Sequence, residues 1–342
     1  MDDELADAIA VSLADWDVPY VELAIYGLVD PRHIAAQLRE VCVRELRSRP
    51  TAPLFYRSSV GAVVGLELDD GTRVVVKAHQ PTTTREHLVE VVRLQSRVES
   101  QLQLAPKVRA GPVTLCKGLV VIEEFVERGA VRNGHEPVIR RELARTLHEV
   151  IQCLGEAGDA PRLAPNLLVD QSRMALWPTP HSNLFDFEAT RTGADYIDEI
   201  AARARAAMLP VGRFIIGHGD WRCEHVRFAG DKAVVGFDWD SLCSAPEPAI
   251  VGATAHMFCA DWSVEGHAQA PTLDEARAFV DEYQVAAGRA FTTEDRKLCS
   301  ASFTYAVAYT SRCGQASGND SREEPGTFQH LLVTGGEALF HL

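Results

Sequence analysis

A short stretch of the chain, GHGDWRCEHVRF at residues 217–228, gathers side chains that can transfer protons or bind metal ions. It contains Asp220 and two histidines, His218 and His225. A zinc site built on Cys223 and His225 would need two more ligands at suitable spacing, and the surrounding sequence supplies none. The stretch is therefore interpreted as a carboxylate loop, with His225 open between a metal ligand and a packing residue.

A second acidic segment, GFDWD at residues 236–240, follows and contains Asp238. The apolar runs before Asp220 and before Asp238 are typical of short strands. A hairpin joining these strands would bring the two carboxylates to the same end of a small sheet. Carboxylates placed together are suitable ligands for a divalent ion that bridges phosphates. Asp240 is either a second metal contact or a solvent-facing carboxylate.

Phosphoryl transfer is the chemistry that these residue types suit. It requires a carboxylate that orients the acceptor hydroxyl, ligands for one or two metal ions, and a cation on the donor phosphates. Lys77, at the end of RVVVK, supplies a cation, and Glu90 lies downstream on a predicted helix, where Glu86 and Glu99 compete with it as partners. SSVGAVVG, residues 58–65, occupies the place of a phosphate-covering turn, although it is not G-x-G-x-x-G.

The hydrophobic periodicity predicts the elements that position these residues. Residues 54–127 read as β-β-α-β-β, a small antiparallel sheet with one long helix, and the chain after Arg128 is mostly helical. A DDG turn joins the first two strands. The predicted helices cover residues 2–14, 31–48, 84–104, 138 to 155 or 158, 195–208, 272–288 and 292–313, and a polar loop covers 314–327.

This order of elements and motifs resembles the aminoglycoside phosphotransferase family, whose relatives include choline and fructosamine kinases with the protein-kinase-like fold. The resemblance covers roughly residues 54–313 and is strongest at 217–240. It implies a bilobal α+β protein with an N-lobe at 51–127 and a helical C-lobe at 128–342 that carries the catalytic loop and substrate pocket. Residues 1–50 form a helical extension before the family core.

The resemblance also implies roles for the matching residues. Asp220 would be the catalytic base or orienting carboxylate, and Asp238 would bind a magnesium ion that bridges the nucleotide phosphates. Lys77 would hold the α- and β-phosphates, with Glu90 fixing it. The backbone of Glu123 and Phe125, in the linker VIEEFV, would contact adenine.

Four features depart from the family pattern, and the first fifty residues, which precede the family core, are one of them. His225 stands where an asparagine metal ligand is expected, and imidazole suits manganese or zinc better than magnesium. Trp221 and Arg222 make the loop bulkier than in many relatives. The segment after FDWD lacks an aspartate that many members carry there. His218 is interpreted as structural, holding Asp220 through the backbone.

The expected function is transfer of the γ-phosphoryl group of ATP or GTP to a hydroxyl of an aminoglycoside-like compound, another antibiotic or a small metabolite, with Mg²⁺ or Mn²⁺. The alternative is a weak or inactive kinase-like protein that binds a nucleotide or a metabolite. P-loop, dinucleotide-binding, zinc-protease and serine-hydrolase motifs are absent from the sequence.

The composition limits the classes of binding partner and the cellular location that we expect. A net charge of −14 argues against a general nucleic-acid binder and is compatible with a cationic acceptor. The apolar runs are too short to cross a membrane, and the acidic N-terminus does not resemble a signal peptide, so a cytoplasmic location is expected. The eight scattered cysteines fit reduced thiols. Monomer and homodimer both remain open.

Overall fold

The computed structural model describes residues 2–14, 18–166, 168, 174–208 and 213–342. The chain divides into two compact units. The first contains Met1–Ser100 and Ala105–Glu127, and the second contains Gln101–Leu104 and Arg128–Leu342. The architecture is α+β, as the sequence predicted, with one five-stranded antiparallel sheet in the first unit and a mostly helical second unit.

The first unit is built on an antiparallel sheet with the strand order β1-β2-β3-β5-β4. Three helices precede it, and a fourth lies between β3 and β4. The elements are α1 Asp2–Ala14, α2 Tyr20–Tyr26, α3 Pro31–Leu46, β1 Pro50–Ser58, β2 Ala62–Leu68, β3 Arg73–His79, α4 Arg85–Leu102, β4 Val108–Leu115 and β5 Gly118–Glu124.

The sheet has one strand more than the sequence predicted. The apolar run at 54–68 was interpreted as one strand, but the structure breaks it at residues 59–61, so that β1 and β2 form a hairpin of their own. The DDG turn then joins β2 to β3 as predicted. A run of apolar and β-branched residues does not show where a strand reverses, because both arms of a hairpin have the same pattern.

One face of the sheet is covered by the N-terminal helices. Val64, Val74 and Val76 point to this face and share a single buried core with Ile34 and Leu38 of α3. Burial of each such side chain stabilises the fold by about 1.5–3 kcal/mol relative to exposure. The helices predicted for residues 1–50 therefore belong to the same compact unit as the sheet and seal one of its faces.

The alternate residues of the strands point to the opposite face, because successive side chains of a strand alternate. Lys77 of β3 and Glu123 of β5 lie on this face, two register positions apart. The α4 helix reaches it through Gln95, whose Nε2 donates to Glu123 Oε1 at 2.9 Å and to the Pro106 carbonyl at 3.1 Å.

The second unit contains six helices and four short strands among the residues that the structure describes. The strands pair as β6 with β9 and β7 with β8, both antiparallel. The elements are α5 Pro137–Leu154, α6 Asp195–Ala207, β6 Phe214–His218, β7 Val226–Ala229, β8 Lys232–Gly236, β9 Leu242–Pro246, α7 Glu247–Ala255, α8 Leu273–Ala287, α9 Thr293–Ala316 and α10 Phe328–Gly335.

The pairing of the short strands differs from the predicted hairpin. The two predicted strands, β6 and β8, do not pair with each other; β6 pairs with β9, and β8 pairs with β7. The strands β7 and β9 are only four and five residues long, which is too short for a periodicity signal. The helices α5, α6, α8 and α9 match their predicted positions, and α8 and α9 each begin with a capping box.

All eight cysteines are free, and all but Cys116 are buried, which agrees with the expectation of reduced thiols. Burial raises the pKa of the Cys42 thiol to about 12, so this side chain is a core residue without a reactive thiolate. Within the described ranges, we find no helix with the length and hydrophobicity needed to cross a bilayer.

Candidate active site

The loop that carries Asp220 begins at the end of β6. His218 lies opposite Leu242 of β9, and the Gly219 N–H donates to the Ser241 carbonyl at 2.8 Å. A Cβ added at Gly219 would lie only 2.9 Å from that carbonyl oxygen. The close approach of these two backbone segments therefore requires glycine at this position, and it aims the following residue, Asp220, out of the strand pair.

His218 holds this loop from beneath. Its ring is fully buried, Nε2–H donates to the Phe237 carbonyl at 3.0 Å, and Nδ1 accepts the backbone N–H of Asp220 at 3.1 Å. Burial lowers the pKa of His218, although the nearby carboxylates oppose that shift. The prediction that His218 is structural and positions Asp220 through the backbone is confirmed.

Two tryptophans complete the support of the loop. The Trp221 and Trp239 rings lie edge-on to the His218 ring, with centroids 5.3 Å and 5.4 Å away, and both indoles are fully buried. Trp221 Nε1–H also donates to the Leu143 carbonyl of α5 at 3.0 Å. Trp221 was expected to make the loop bulky, but its side chain packs into the core of the unit.

The β7–β8 hairpin brings His225 and Asp238 together. The Phe237 N–H donates to the His225 carbonyl at 2.8 Å, directly beyond the last register pair of the hairpin. Asp238 has a left-handed backbone with φ of 61°, which is uncommon for a residue with a side chain. Its Oδ2 accepts the Ser241 hydroxyl at 2.7 Å, so the carboxylate has a defined orientation.

Asp220, His225 and Asp238 form one cluster. Each offers a ligand atom, and these atoms all lie within 4.8 Å of one another. The Nδ1–H of His225 donates to the Asp220 backbone carbonyl at 3.0 Å, which leaves the lone pair on Nε2. Two carboxylates and an imidazole with a free lone pair fit a divalent ion, and a metal-binding histidine normally donates its other N–H in this way.

Arg222 makes the strongest contact to the Asp220 carboxylate. Its NH1 group binds Asp220 Oδ1, its Nε lies 3.0 Å from Glu224 Oε2, and its guanidinium stacks over the Trp262 ring at 4.7 Å. Burial acts to raise the pKa of Asp220, but Arg222 and His225 outweigh it, and the pKa lies below its usual value. Asp220 is therefore a carboxylate at neutral pH. From the sequence, Arg222 was predicted only to add bulk to the loop.

The predicted nucleotide-binding residues lie in the first unit. Lys77 is at the fifth position of β3 and only 9% exposed. Glu90 binds Arg93 of its own helix, with Oε2 at 2.8 Å from NH2 and 2.9 Å from Nε. Its pairing with Lys77 stays a prediction.

Of the linker residues, Glu123 lies within β5 and Phe125 directly follows its last residue. Glu123 pairs with β3 on one side and with β4 on the other, and its side chain is buried. The Phe125 N–H donates to the Arg73 carbonyl at 3.0 Å. That amide is therefore already bonded to β3, and the predicted adenine contacts through the backbone of Glu123 and Phe125 stay a prediction.

No family model and no curated protein sequence matches this chain. Solved structures with similar folds include an amicoumacin kinase in complex with AMP-PNP, Ca²⁺ and Ami, at 8% identity and a TM-score of 0.57, covering 90% of this chain and 95% of that one. A spectinomycin phosphotransferase bound to AMP has 12% identity and a TM-score of 0.55, covering 88% of this chain and 99% of that one.

A third similar structure is a macrolide 2′-phosphotransferase from Brachybacterium faecium, at 15% identity and a TM-score of 0.52, covering 86% of this chain and 97% of that one. At these identities the likeness establishes the fold. The chain therefore has the protein-kinase-like fold of small-molecule phosphotransferases such as these.

Proposed function

We propose that this protein is a kinase that transfers the γ-phosphoryl group of ATP or GTP to a hydroxyl of a small molecule. The observation that carries the proposal is the cluster of Asp220, His225 and Asp238, with ligand atoms within 4.8 Å of one another. The fold supports it, because similar structures are named as phosphotransferases and one of them is bound to AMP-PNP and Ca²⁺.

In this proposal Asp220 orients the acceptor hydroxyl and receives its proton. Arg222 binds Oδ1 and keeps the carboxylate ionised, so Oδ2 is the oxygen that faces the acceptor. His225 and Asp238 would hold Mg²⁺ or Mn²⁺, which neutralises charge on the donor phosphates when bound. Ser241 fixes Asp238 through a 2.7 Å hydrogen bond.

The proposed nucleotide contacts are residues of the first unit. Lys77 would bind the donor phosphates with its ammonium group. At the end of β5, the Glu124 N–H donates to the Lys107 carbonyl just before β4, and the next N–H, that of Phe125, donates to Arg73 of β3. The N–H and C=O of one strand residue point to the same side, and successive residues alternate between the two sides. The Glu124 carbonyl and the Val126 N–H therefore point to the β4 side, at a level that precedes the first residue of β4. We propose these two groups as further adenine contacts, next to the backbone of Glu123 and Phe125.

A binding protein without turnover is the second candidate. It is favoured by the Arg222–Asp220 ion pair, which engages the carboxylate that the reaction needs, and by the imidazole at position 225. The two candidates differ in one result, since only the kinase releases ADP in the presence of an acceptor.

The acceptor is proposed to be a hydroxylated antibiotic or metabolite. The structural neighbours are named for amicoumacin, spectinomycin and macrolides, which are chemically diverse acceptors. A cationic acceptor is compatible with the net charge of −14. The free buried thiols fit a reducing compartment, and we propose the cytoplasm, with a monomer or a homodimer as the working form.

Calorimetric titration of ATP and of GTP, with Mg²⁺, with Mn²⁺ and with EDTA, tests the proposal. We expect metal-dependent binding in the micromolar to millimolar range, followed by ADP release on addition of a hydroxylated acceptor from an antibiotic and amino-alcohol panel. Binding that is indifferent to metal would favour the second candidate. A folded sample that binds neither nucleotide would contradict the kinase and would leave only the metabolite-binding form of the second candidate.

A further inference from the structure

The turn between β1 and β2 is held by side chains from two other segments. The Tyr20 hydroxyl, at the start of α2, donates to the Ser59 carbonyl at 2.9 Å. Gln80, directly after β3, donates from Nε2 to the Val60 carbonyl at 2.7 Å. Two consecutive carbonyls of the turn are thus bound by donors outside the hairpin.

The two contacts also orient the amide groups of the turn. In a trans peptide the C=O and the N–H of the same peptide unit point in opposite directions. A Ser59 carbonyl directed to Tyr20 turns the Val60 N–H away from Tyr20, and a Val60 carbonyl directed to Gln80 turns the Gly61 N–H away from Gln80. Successive N–H groups of a turn can form an anion-binding concavity.

The base of the turn is closely packed against β3. A Cβ at Gly61 would lie 2.7 Å from the Ala78 carbonyl, and Ala62 pairs with Ala78 in the sheet. Ala78 follows Lys77, the proposed phosphate-binding cation. The turn is therefore packed against the end of β3 that carries the lysine.

The helix that carries Tyr20 is fixed at both ends of its short length. Val21 and Ile25 are buried in the core under the sheet, at 2% and 0% exposure. The Ile25 carbonyl accepts the Lys117 N–H at 2.9 Å, which ties α2 to the turn between β4 and β5. Tyr20 is thus presented from a rigid support.

We propose that the N-terminal helices serve the nucleotide site: α2 and Gln80 position the turn at residues 59–61, so that its Val60 and Gly61 amides bind the donor phosphates. Tyr20 and Gln80 are positioning residues, since they act through the turn. This inference rests on the proposed function and assigns a role to a segment that precedes the sequence resemblance.

Tyr20→Phe and Gln80→Ala each remove one of these hydrogen bonds. With the complete chain, we expect each variant to bind ATP with Mg²⁺ about 3- to 10-fold more weakly, the effect of losing one hydrogen bond. Adenosine, which has no phosphates, should bind with unchanged affinity. Hydrogen exchange of the backbone at residues 58–62 should be faster in both variants even without nucleotide.

Thr51→Val is the matched control. Thr51 donates through its hydroxyl to the Glu67 carbonyl at 3.2 Å, the same kind of bond at the opposite end of the β1–β2 hairpin, and its loss should leave ATP affinity unchanged. Thermal unfolding of all variants identifies any that are misfolded. Gln80→Ala changes a partly exposed side chain, so it provides a second, independent measurement of the effect on ATP affinity.

The outcomes separate the two proposals. Normal ATP binding by both variants would overturn this inference alone, as would an equal loss of adenosine and ATP affinity, since the effect would then not involve the phosphates. If the unaltered chain binds neither ATP nor GTP, the proposed function is wrong and this inference is wrong with it.

Discussion

The imidazole of His225 donates its Nδ1–H to the backbone carbonyl of Asp220 at 3.0 Å, while the Asp220 N–H is bound by Nδ1 of His218. The peptide groups on both sides of the Asp220 side chain are therefore held by histidines. One consequence is geometric: the carboxylate projects from a backbone that has little freedom to rotate. The other is chemical, because the Nε2 lone pair of His225 is free to bind a metal ion.

His225→Asn should shift the metal preference toward magnesium. An amide oxygen is a hard ligand, whereas imidazole favours manganese over magnesium. We expect the ratio of Mg²⁺- to Mn²⁺-supported turnover to rise several-fold, measured as ADP release at saturating metal. An unchanged ratio would show that the imidazole is a packing residue that contributes nothing to metal binding.

Asp220→Ala should lower kcat by about 10²- to 10⁴-fold, the range for loss of a positioned proton acceptor. Nucleotide affinity should change little, because the carboxylate acts on the acceptor hydroxyl in the transition state. Steady-state kinetics with a true acceptor, together with calorimetry, separate the two effects. Asp231→Ala, an exposed carboxylate paired with Arg132, is the control. Retention of near-normal turnover in Asp220→Ala would refute the assignment of the site.

Asp238→Ala should weaken binding of the metal–nucleotide complex itself. Its carboxylate is assigned to the metal ion and is oriented by Ser241, so Ser241→Ala should have the same effect to a smaller degree. Titration of ATP with Mg²⁺ and with EDTA gives the measurement: the metal-dependent part of the affinity should disappear in Asp238→Ala. Metal-dependent binding equal to that of the unaltered chain would contradict this role.

The stability of the second unit should depend on pH through His135. Nδ1 of His135 lies 2.9 Å from Glu275 Oε1, and Nε2 lies 2.9 Å from the Ala268 carbonyl. Both partners are acceptors, so the ring is protonated in this arrangement, and the hydrogen bond to Glu275 raises its pKa above 6.5. For Glu275, burial acts to raise the pKa, but His135 and Thr272 lower it to about 2.

The directions of the two pKa shifts determine how stability changes with pH. The contribution of His135 is fully present below pH 6.5 and is lost as the pH rises through its folded pKa; that of Glu275 is present above about pH 4.5 and is lost as the pH falls toward 2. His135→Asn should therefore cost about 1 kcal/mol of unfolding free energy at pH 6 and less at pH 9. Urea unfolding at both values tests this, with His330→Asn as control. A cost that does not depend on pH would contradict a charged His135.

Long helices and the order of the motifs could be predicted from the sequence. The α4 and α5 helices follow from an apolar stripe at helical spacing; α4 lies within two residues of its predicted bounds, and α5 ends at Leu154, directly before the first of its two predicted ends. Asp220 and Asp238 were recognisable because the H-x-D motif and the FDWD segment after it are defined by the order of neighbouring residues in the chain. The structure brings these two side chains into one cluster with His225.

The partners of these residues could not be predicted. The binding of Glu90 by Arg93, and of Asp220 by Arg222, depends on side-chain rotamers and on which neighbours burial brings close. The same holds for Trp221, whose indole could face solvent or the core according to the sequence and is fully buried in the fold.

The sequence by itself determined the α+β class, the principal helices and the residues that we propose for phosphoryl transfer, because periodicity and residue type are local properties. Only the tertiary structure decided that β6 pairs with β9, that the Phe125 amide is bonded to Arg73, and that the helices α1, α2 and α3 cover one face of the sheet. Strand pairing and helix packing join segments far apart in the chain, and the free energy that selects them comes from burial of surfaces that no local pattern encodes.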